Sequence, residues 1–469
     1  MSVSEGRAAQ AGASAAELAW TAVRGPRLGA IVVGVVAVAT RWPVLTSRVN
    51  PFGLQPDTKG YLHQAHDLLH GGLFPADWPR VPGYPVFAFL VGWLSGPLEN
   101  DLAVAQHALG AGLAVATFLV AWRWLDRVTA WLAGLLVAAA PVLYAAEDEA
   151  LPDVLLGALI FAFAVLLAAT ALQDGHVIRV RRAVALGALA GAAILVKPVA
   201  QSLILAVPFA LLAARRPPAA VARTTLLAGL AALVVVSPWL VHNWRTFGQP
   251  SLSDQLGDTL FSRVFEVDGR DVPRIGPAGW IAAQEQQRLR AAPTGERLHA
   301  VVAGRLQRES GQTRVDVQRT MRHLAIQGIR RYPADYAWRT VKGGERYFDE
   351  ARLPSSWTTA LEPRVGGHGL AFAHATWWSF DRVTPLWSTL TLGGLSAALG
   401  LVLGPRRRRV FLASLLAVWA VQVLTTVATH GGLPRYSAQL LPLTFLLTIA
   451  GTTVTVRAIL AGARATRRP

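Results

Sequence analysis

The residues of this chain that could do chemistry gather at a few places. Asp57 stands in Pro56-Asp57-Thr58-Lys59-Gly60-Tyr61, and Arg80 opens Arg80-Val81-Pro82-Gly83-Tyr84-Pro85. Glu147, Asp148, Glu149 and Asp153 crowd a third stretch, Lys197 precedes Pro198, and Arg435 precedes Tyr436. A carboxylate within reach of a hydroxyl can take up its proton as that hydroxyl forms a new bond. Guanidinium and ammonium groups can pair with anionic oxygens. The acidic stretch could orient a second substrate or, through oxygen ligands, hold a divalent cation. There is no cysteine, so a thiolate nucleophile, a thiolate metal site and a disulfide are all excluded.

Each of these residues also has a plainer reading. Asp57 opens an amphipathic stripe (Tyr61, Leu62, Ala65, Leu68, Leu69) that ends at Gly71 and Gly72, where an Asp is a natural helix N-cap. Arg80 could snorkel at a bilayer surface, and Glu147 and Asp148 could be a solvated acidic loop. Lys197 lies between apolar runs, where a charge is a functional candidate by default; Lys59 follows Asp57 too closely to be separated from it. His63, His66, His70 and His107 do not form a metal pattern, and the first three, which share one helix face, read as polar surface.

The elements that must position these groups are membrane helices. The 469 residues are 53% hydrophobic and 16% charged, with a mean hydropathy of +0.38, the balance of a polytopic membrane protein. The net charge of +17 sits in short clusters between apolar runs, which argues against nucleic acid as partner. Ten spans are predicted near residues 26–46, 102–122, 129–146, 151–172, 183–196, 199–214, 221–241, 384–404, 410–428 and 437–459. Alternating crossings then place Arg24/Arg27, Arg123/Arg127, Arg179/Arg181/Arg182, Arg215/Arg216, Arg406 to Arg409 and the Arg464/Arg467/Arg468 tail on the cytoplasmic side, with both termini. Residues 86–94 are apolar but short and broken by Pro and Gly; a crossing there would invert every later cluster, so a juxtamembrane helix is predicted.

Three parts result: a transmembrane module over 1–241 whose first external loop is 47–101, an external and mainly helical cap over 242–382, and C-terminal spans over 383–469. Helical periodicity recurs in the cap near 279–290, 296–309 and 315–342. No phosphate-cradling loop, Gly-rich nucleotide turn or α/β pattern occurs, which leaves a nucleotide without an evident place.

In arrangement the chain resembles the GT-C glycosyltransferases of the dolichyl-phosphate-mannose-protein mannosyltransferase and aminoarabinose transferase type. The resemblance rests on Asp57 in the first external loop, the Pro-Gly-Tyr-Pro segment after Arg80, Lys197-Pro198, and the acidic residues up to Asp153 before the fourth span. Ser237-Pro238-Trp239 with Asn243 and Gly248, and Arg435-Tyr436 before the last span, add to it. It implies an all-α GT-C membrane fold in the plasma or inner membrane. It further implies a sugar donor linked to polyprenyl phosphate, transfer with inversion on the external face, and an acceptor that is lipid, glycan or protein. Asp57 takes the place of the catalytic acid; Arg80, Lys197, Arg435, Tyr436 and Lys59 are donor or phosphate candidates; Asp153, Glu149 and Asp148 are acceptor or metal candidates. Thr58 stands where protein mannosyltransferases carry the second acid of an Asp-Glu pair, a departure that bears on a protein acceptor. Two other readings share this scaffold: a transporter or flippase of a lipid-linked substrate, which wants paired charges near the bilayer midplane, and a catalytically silent GT-C-like subunit.

Overall fold

Long runs of Ala, Leu and Val without interior breakers become helices, and the breaks between them fall at Pro, Gly and capping residues. The structure, a computed structural model, describes residues 25–46, 56–72, 80–96, 98–174, 178–253, 255–292, 294–349, 401, 404–431 and 434–465. Among the described residues there is no strand.

The first helices are α1 (Pro26–Thr46), α2 (Pro56–Leu69), α3 (Gly83–Ser95) and α4 (Leu98–Trp124). They lead into α5 (Arg127–Ala138), α6 (Pro141–Asp148), α7 (Asp153–Ala171) and α8 (Val180–Val196). A 3-10 turn at Pro198–Ser202 then leads to α9 (Leu203–Ala213) and α10 (Pro218–Phe247). Asp126 caps α5, accepting from the Thr129 amide at 3.0 Å. Proline at its start and the left-handed Gly248 (φ 69°) at its end bound α10.

Among the described residues, five helices are long and apolar enough to cross a membrane: Asp101–Trp124, Asp153–Ala171, Pro218–Phe247, Arg406–His430 and Tyr436–Ala461. They mark an integral membrane protein. The span expected at 129–146 is instead a pair of helices bent by 49° at the turn before Pro141, because the proline ring removes a ladder hydrogen bond there. The stretches expected to cross at 183–196 and 199–214 form helices of 17 and 11 residues. The span expected at 384–404 lies outside the described residues apart from residues 401 and 404. α1 turns Ile31, Val35, Val38 and Trp42 outward, each half or more exposed, as a lipid-facing surface does.

α8 and α10 run parallel in close contact. A side chain at Gly187 would strike Ala228 and Ala231, and one at Gly191 would strike Ala232 and Val235, the close approach that small residues allow in a membrane. This register sets Lys197 level with residues 238–241.

Past Gly248 the chain builds α11 (Leu256–Phe261), a π-helical turn (Ser262–Val267), α12 (Gly276–Ala291), α13 (Leu298–Ser310), α14 (Arg314–Arg331) and α15 (Pro333–Asp349). The periodicity of 315–342 is divided between two helices because Pro333 cannot continue α14. Phe261, Phe265, Val302, Leu306, Met321 and Leu324 form a core separate from that of the bundle. α16 (Arg406–His430), a 3-10 turn at Pro434–Leu440 and α17 (Leu441–Ala465) complete the described chain, and α15 lies against both α16 and that turn.

Arg182, Arg216 and Arg408 lie at the end of the bundle opposite Lys197. Arg408 donates to the Leu125 carbonyl and pairs with Asp126 at 3.3 Å. Arg182 reaches the Ala169 carbonyl at 2.8 Å, and Arg216 the Ala171 carbonyl at 3.0 Å. These bonds satisfy carbonyls at helix ends that would otherwise lack partners.

Candidate active site

Asp57 is the second residue of α2, inside its first turn rather than ahead of it as an N-cap. One of its carboxylate oxygens accepts from Arg80 at 2.7 Å. Arg80 is mostly shielded, at 14% exposure, whereas Asp57 is 40% open, so a ligand would meet the acid first. The guanidinium also lies 4.2 Å from the centre of the Tyr61 ring, which holds its plane in place. Burial, partly offset by Arg80, pushes the Tyr61 phenol up to about 12, so it stays a neutral hydroxyl at any physiological pH.

The second pair lies across the turn after α8. Lys197 donates to Asp153 at 2.9 Å and stands 3.6 Å above the Tyr436 ring. Asp153 begins α7 and also accepts from the Gln439 amide. The two pairs are joined by a backbone contact: a Cβ on Gly83 would lie 2.5 Å from the Leu195 carbonyl oxygen. Glycine there lets the start of α3, three residues after Arg80, rest directly on the end of α8, two residues before Lys197. The Pro-Gly-Tyr-Pro segment is thus the joint between the cations.

Behind the pairs lies a polar layer. Tyr61 meets Tyr84 edge to face at 5.1 Å, and the Tyr84 hydroxyl donates to Gln106 at 2.7 Å. The Gln106 amide donates in turn to the carbonyls of Glu147 at 2.6 Å and Glu149 at 2.9 Å. Glu147 takes a two-pronged bond from Arg41, with both contacts at 2.7 Å. Its second oxygen also meets His107 Nδ1 at 2.5 Å, while His107 Nε2 lies 3.2 Å from Asp148. Arg41 and Glu147 are 1% and 0% exposed. The solvated acidic loop expected at Glu147 and Asp148 is therefore wrong: both are buried, because Arg41 and His107 supply the countercharge that lets carboxylates leave water. His107 likewise belongs to this buried layer. Gly110 admits the ion pair, since a Cβ there would overlap the Glu147 carboxylate.

Other expected residues fall in different places. Lys59 is exposed on α2. Glu149 is buried beside Gln106, through its carbonyl. Arg435 sits on the 3-10 turn with Tyr436, but its side chain lies outside the described residues. Among the described residues no three His, Asp or Glu side chains converge as a cation site needs. Trp239 and Asn243 tie down the chain that leaves α10, donating to the carbonyls of Leu252 at 2.8 Å and Ser251 at 2.6 Å.

Sequence reasoning did not find Arg41, Tyr61, Tyr84, Gln106 or Gln439. Arg41 was legible as an arginine inside an apolar run, the usual mark of a buried partner; the two glutamines had no such signal.

Residues 79–242 match the family model described as dolichyl-phosphate-mannose-protein mannosyltransferase. The apo structure of the Archaeoglobus fulgidus oligosaccharyltransferase superposes with a TM-score of 0.50 at 12% identity, covering 96% of this chain and 53% of that one. The oligosaccharyltransferase AglB of the same organism, in complex with an inhibitory peptide and a dolichol-phosphate, gives 0.47 at 12% identity over 94% and 51%. ArnT from Cupriavidus metallidurans bound to undecaprenyl phosphate gives 0.39 at 16% identity over 86% and 77%. The chain spans about half the length of the archaeal enzyme. No curated protein matches. The fold is of the GT-C type.

Proposed function

We propose that this protein is a membrane glycosyltransferase that moves a sugar from a polyprenyl-phosphate donor to an acceptor on the external face, with inversion at the anomeric carbon. The observation that carries the reading is the pairing of two carboxylates with two cations, Asp57 with Arg80 and Asp153 with Lys197, at the bundle end opposite Arg182, Arg216 and Arg408. The match of residues 79–242, a segment that includes Arg80, Asp153 and Lys197, to a family named for a dolichyl-phosphate sugar supports the same donor class.

The four charges sum to zero, so an arriving donor phosphate must draw a cation from its carboxylate. Arg80 is suited to this, since guanidinium binds phosphate oxygens in a fork. Its departure frees an oxygen of Asp57 for the acceptor hydroxyl. As that hydroxyl attacks the anomeric carbon from the face opposite the phosphate, Asp57 takes its proton, the sugar–oxygen bond to phosphate breaks, and the polyprenyl phosphate leaves with an added negative charge on Arg80 and Lys197. Tyr436, beneath Lys197, keeps that ammonium from turning away. With the donor bound near Lys197, the arginine clusters face the cytoplasm and α11 to α15 cover the external side.

A transporter reading calls for charges at mid-membrane. Here the paired charges lie near helix ends: Arg41 in the last two turns of α1, Asp153 at the start of α7, Lys197 just past α8.

Cryo-electron microscopy of the protein in nanodiscs with polyprenyl phosphate tests the proposal. Phosphate density within hydrogen-bond reach of Arg80 or Lys197 is expected; lipid phosphate bound only elsewhere, or a passage through the bilayer centre, overturns it.

A further inference from the structure

Outside the paired charges, the molecule has a cavity with unmet hydrogen-bonding groups in its wall. It lies between the last turn of α10, the following loop, and helices α11 and α14, and it opens to the surface. The α8–α10 register places Asn243 about one turn beyond the level of Lys197, so the cavity sits over the candidate active site, on the cap side.

Asn243 is 4% exposed. Its amide nitrogen donates to the Ser251 carbonyl at 2.6 Å, which fixes the orientation of the group and leaves Oδ1 buried without a hydrogen-bond partner. The amide nitrogen of Gln249 is buried without one too, and both residues line the cavity. Native proteins rarely leave buried polar atoms open, since each costs about 1 to 3 kcal/mol. One acceptor and one donor thus belong to residues that line the same cavity. Phe247 contributes an aromatic wall, and Arg319 and Arg322 line the cavity as well, both exposed.

The groups select the ligand. A bare phosphate or carboxylate has no hydrogen to give Asn243 Oδ1, and an apolar molecule would leave both amides unmet. A hydroxyl can both give to Asn243 and accept from Gln249. A ring bearing several hydroxyls on one side and C–H groups on the other also suits Phe247, and the Arg322 guanidinium favours an acidic substituent, Arg319 being paired with Asp316 at 3.2 Å.

We propose that this cavity is a saccharide subsite that holds one sugar ring with an acidic substituent, as part of the acceptor. The assignment of that sugar to the acceptor rests on the glycosyltransferase reading; the binding of an acidic sugar does not. The subsite holds the acceptor by a unit remote from the reacting hydroxyl, so its binding energy positions that hydroxyl near Asp57.

Saturation-transfer NMR on the full-length protein in nanodiscs, with glucuronic acid and glucose as probes, tests this. Glucuronic acid is expected to bind more tightly than glucose. Its affinity should fall about tenfold or more in Gln249→Leu and in Arg322→Glu, the effect of losing one strong hydrogen bond, and stay unchanged in Asp57→Asn. Polyprenyl phosphate binding, measured on the same samples, should not change in the two cavity variants. Failure of both sugars to bind to protein that does bind polyprenyl phosphate overturns the subsite and leaves the transferase reading standing. Sugar binding unaffected by Gln249→Leu, or equal for both sugars and indifferent to Arg322→Glu, also overturns it. Sugar binding as expected without any polyprenyl phosphate binding sinks the transferase reading and, with it, the assignment to an acceptor.

Discussion

Arg80 donates to Asp57 at 2.7 Å, so the proposed phosphate ligand holds the proposed base until a substrate arrives. Replacing the acid by its amide keeps the shape of that contact and removes its capacity to accept a proton. Asp57→Asn is expected to lower transfer by about 10²- to 10⁴-fold, the usual share of a general base, with polyprenyl phosphate binding and thermal stability retained. Transfer assays with radiolabelled lipid-linked sugar, alongside a thermal unfolding curve, check this; activity within threefold of the parent would remove Asp57 from the mechanism.

The buried Arg41–Glu147 pair is a matter of stability. Removing one partner strands the other charge with no water to solvate it, at a cost of about 3 to 5 kcal/mol. Arg41→Met and Glu147→Leu should each unfold at markedly lower temperature, and the double replacement should recover much of the loss because no charge remains. A double variant as unstable as the sum of the singles would show that the pair acts independently of its charge.

Gly83 makes a geometric prediction. The Cβ of alanine there would sit 2.5 Å from the Leu195 carbonyl oxygen, which forces α3 away from the end of α8 and separates Arg80 from Lys197. Gly83→Ala is expected to lose most of its activity. Gly229→Ala, where a Cβ meets nothing within 4 Å, should be fully active and slightly more stable through better helix propensity. Equal activity of the two variants would refute the role given to the Pro-Gly-Tyr-Pro joint.

Among the helices after α10, Glu266 on the π-helical turn accepts from the His299 backbone amide at 2.7 Å and meets its ring nitrogen at 2.9 Å, tying that turn to the first turn of α13. Burial alone would raise the Glu266 carboxyl, but the bonds from His299 and Ser262 outweigh it and hold the group below its usual range. Burial alone would lower His299, but Glu266 outweighs it and holds the imidazole above its usual range. The depressed acid stabilises above the ordinary Glu value of about 4.3, and the raised base below the ordinary His value of about 6.5. Protection of α13 amides in hydrogen exchange should therefore be greatest between those values. It should fall as acid protonates Glu266 and again as alkali deprotonates His299. His299→Gln should abolish the alkaline fall; a fall that persists in it would place the titration elsewhere.

Much of this protein was readable in its sequence. Asp57, Arg80, Asp153, Lys197 and Tyr436 were picked out by the resemblance of their stretches to GT-C motifs, each with a plainer reading beside it. Helix content and most boundaries followed from composition, since twenty apolar residues in a bilayer must close their hydrogen bonds within the segment. Tertiary structure decided the partnerships. Nothing local says that Arg41 meets Glu147, 106 residues away, that Gln439 reaches Asp153, or that Gly83 rests on Leu195. Ion pairs and close backbone contacts depend on which helix faces pack together. Helix faces built of interchangeable Ala, Leu and Val carry no address in sequence. The same reason turned an expected solvated loop at Glu147 and Asp148 into a buried one, because burial of a charge is decided by the neighbour that arrives from elsewhere in the chain.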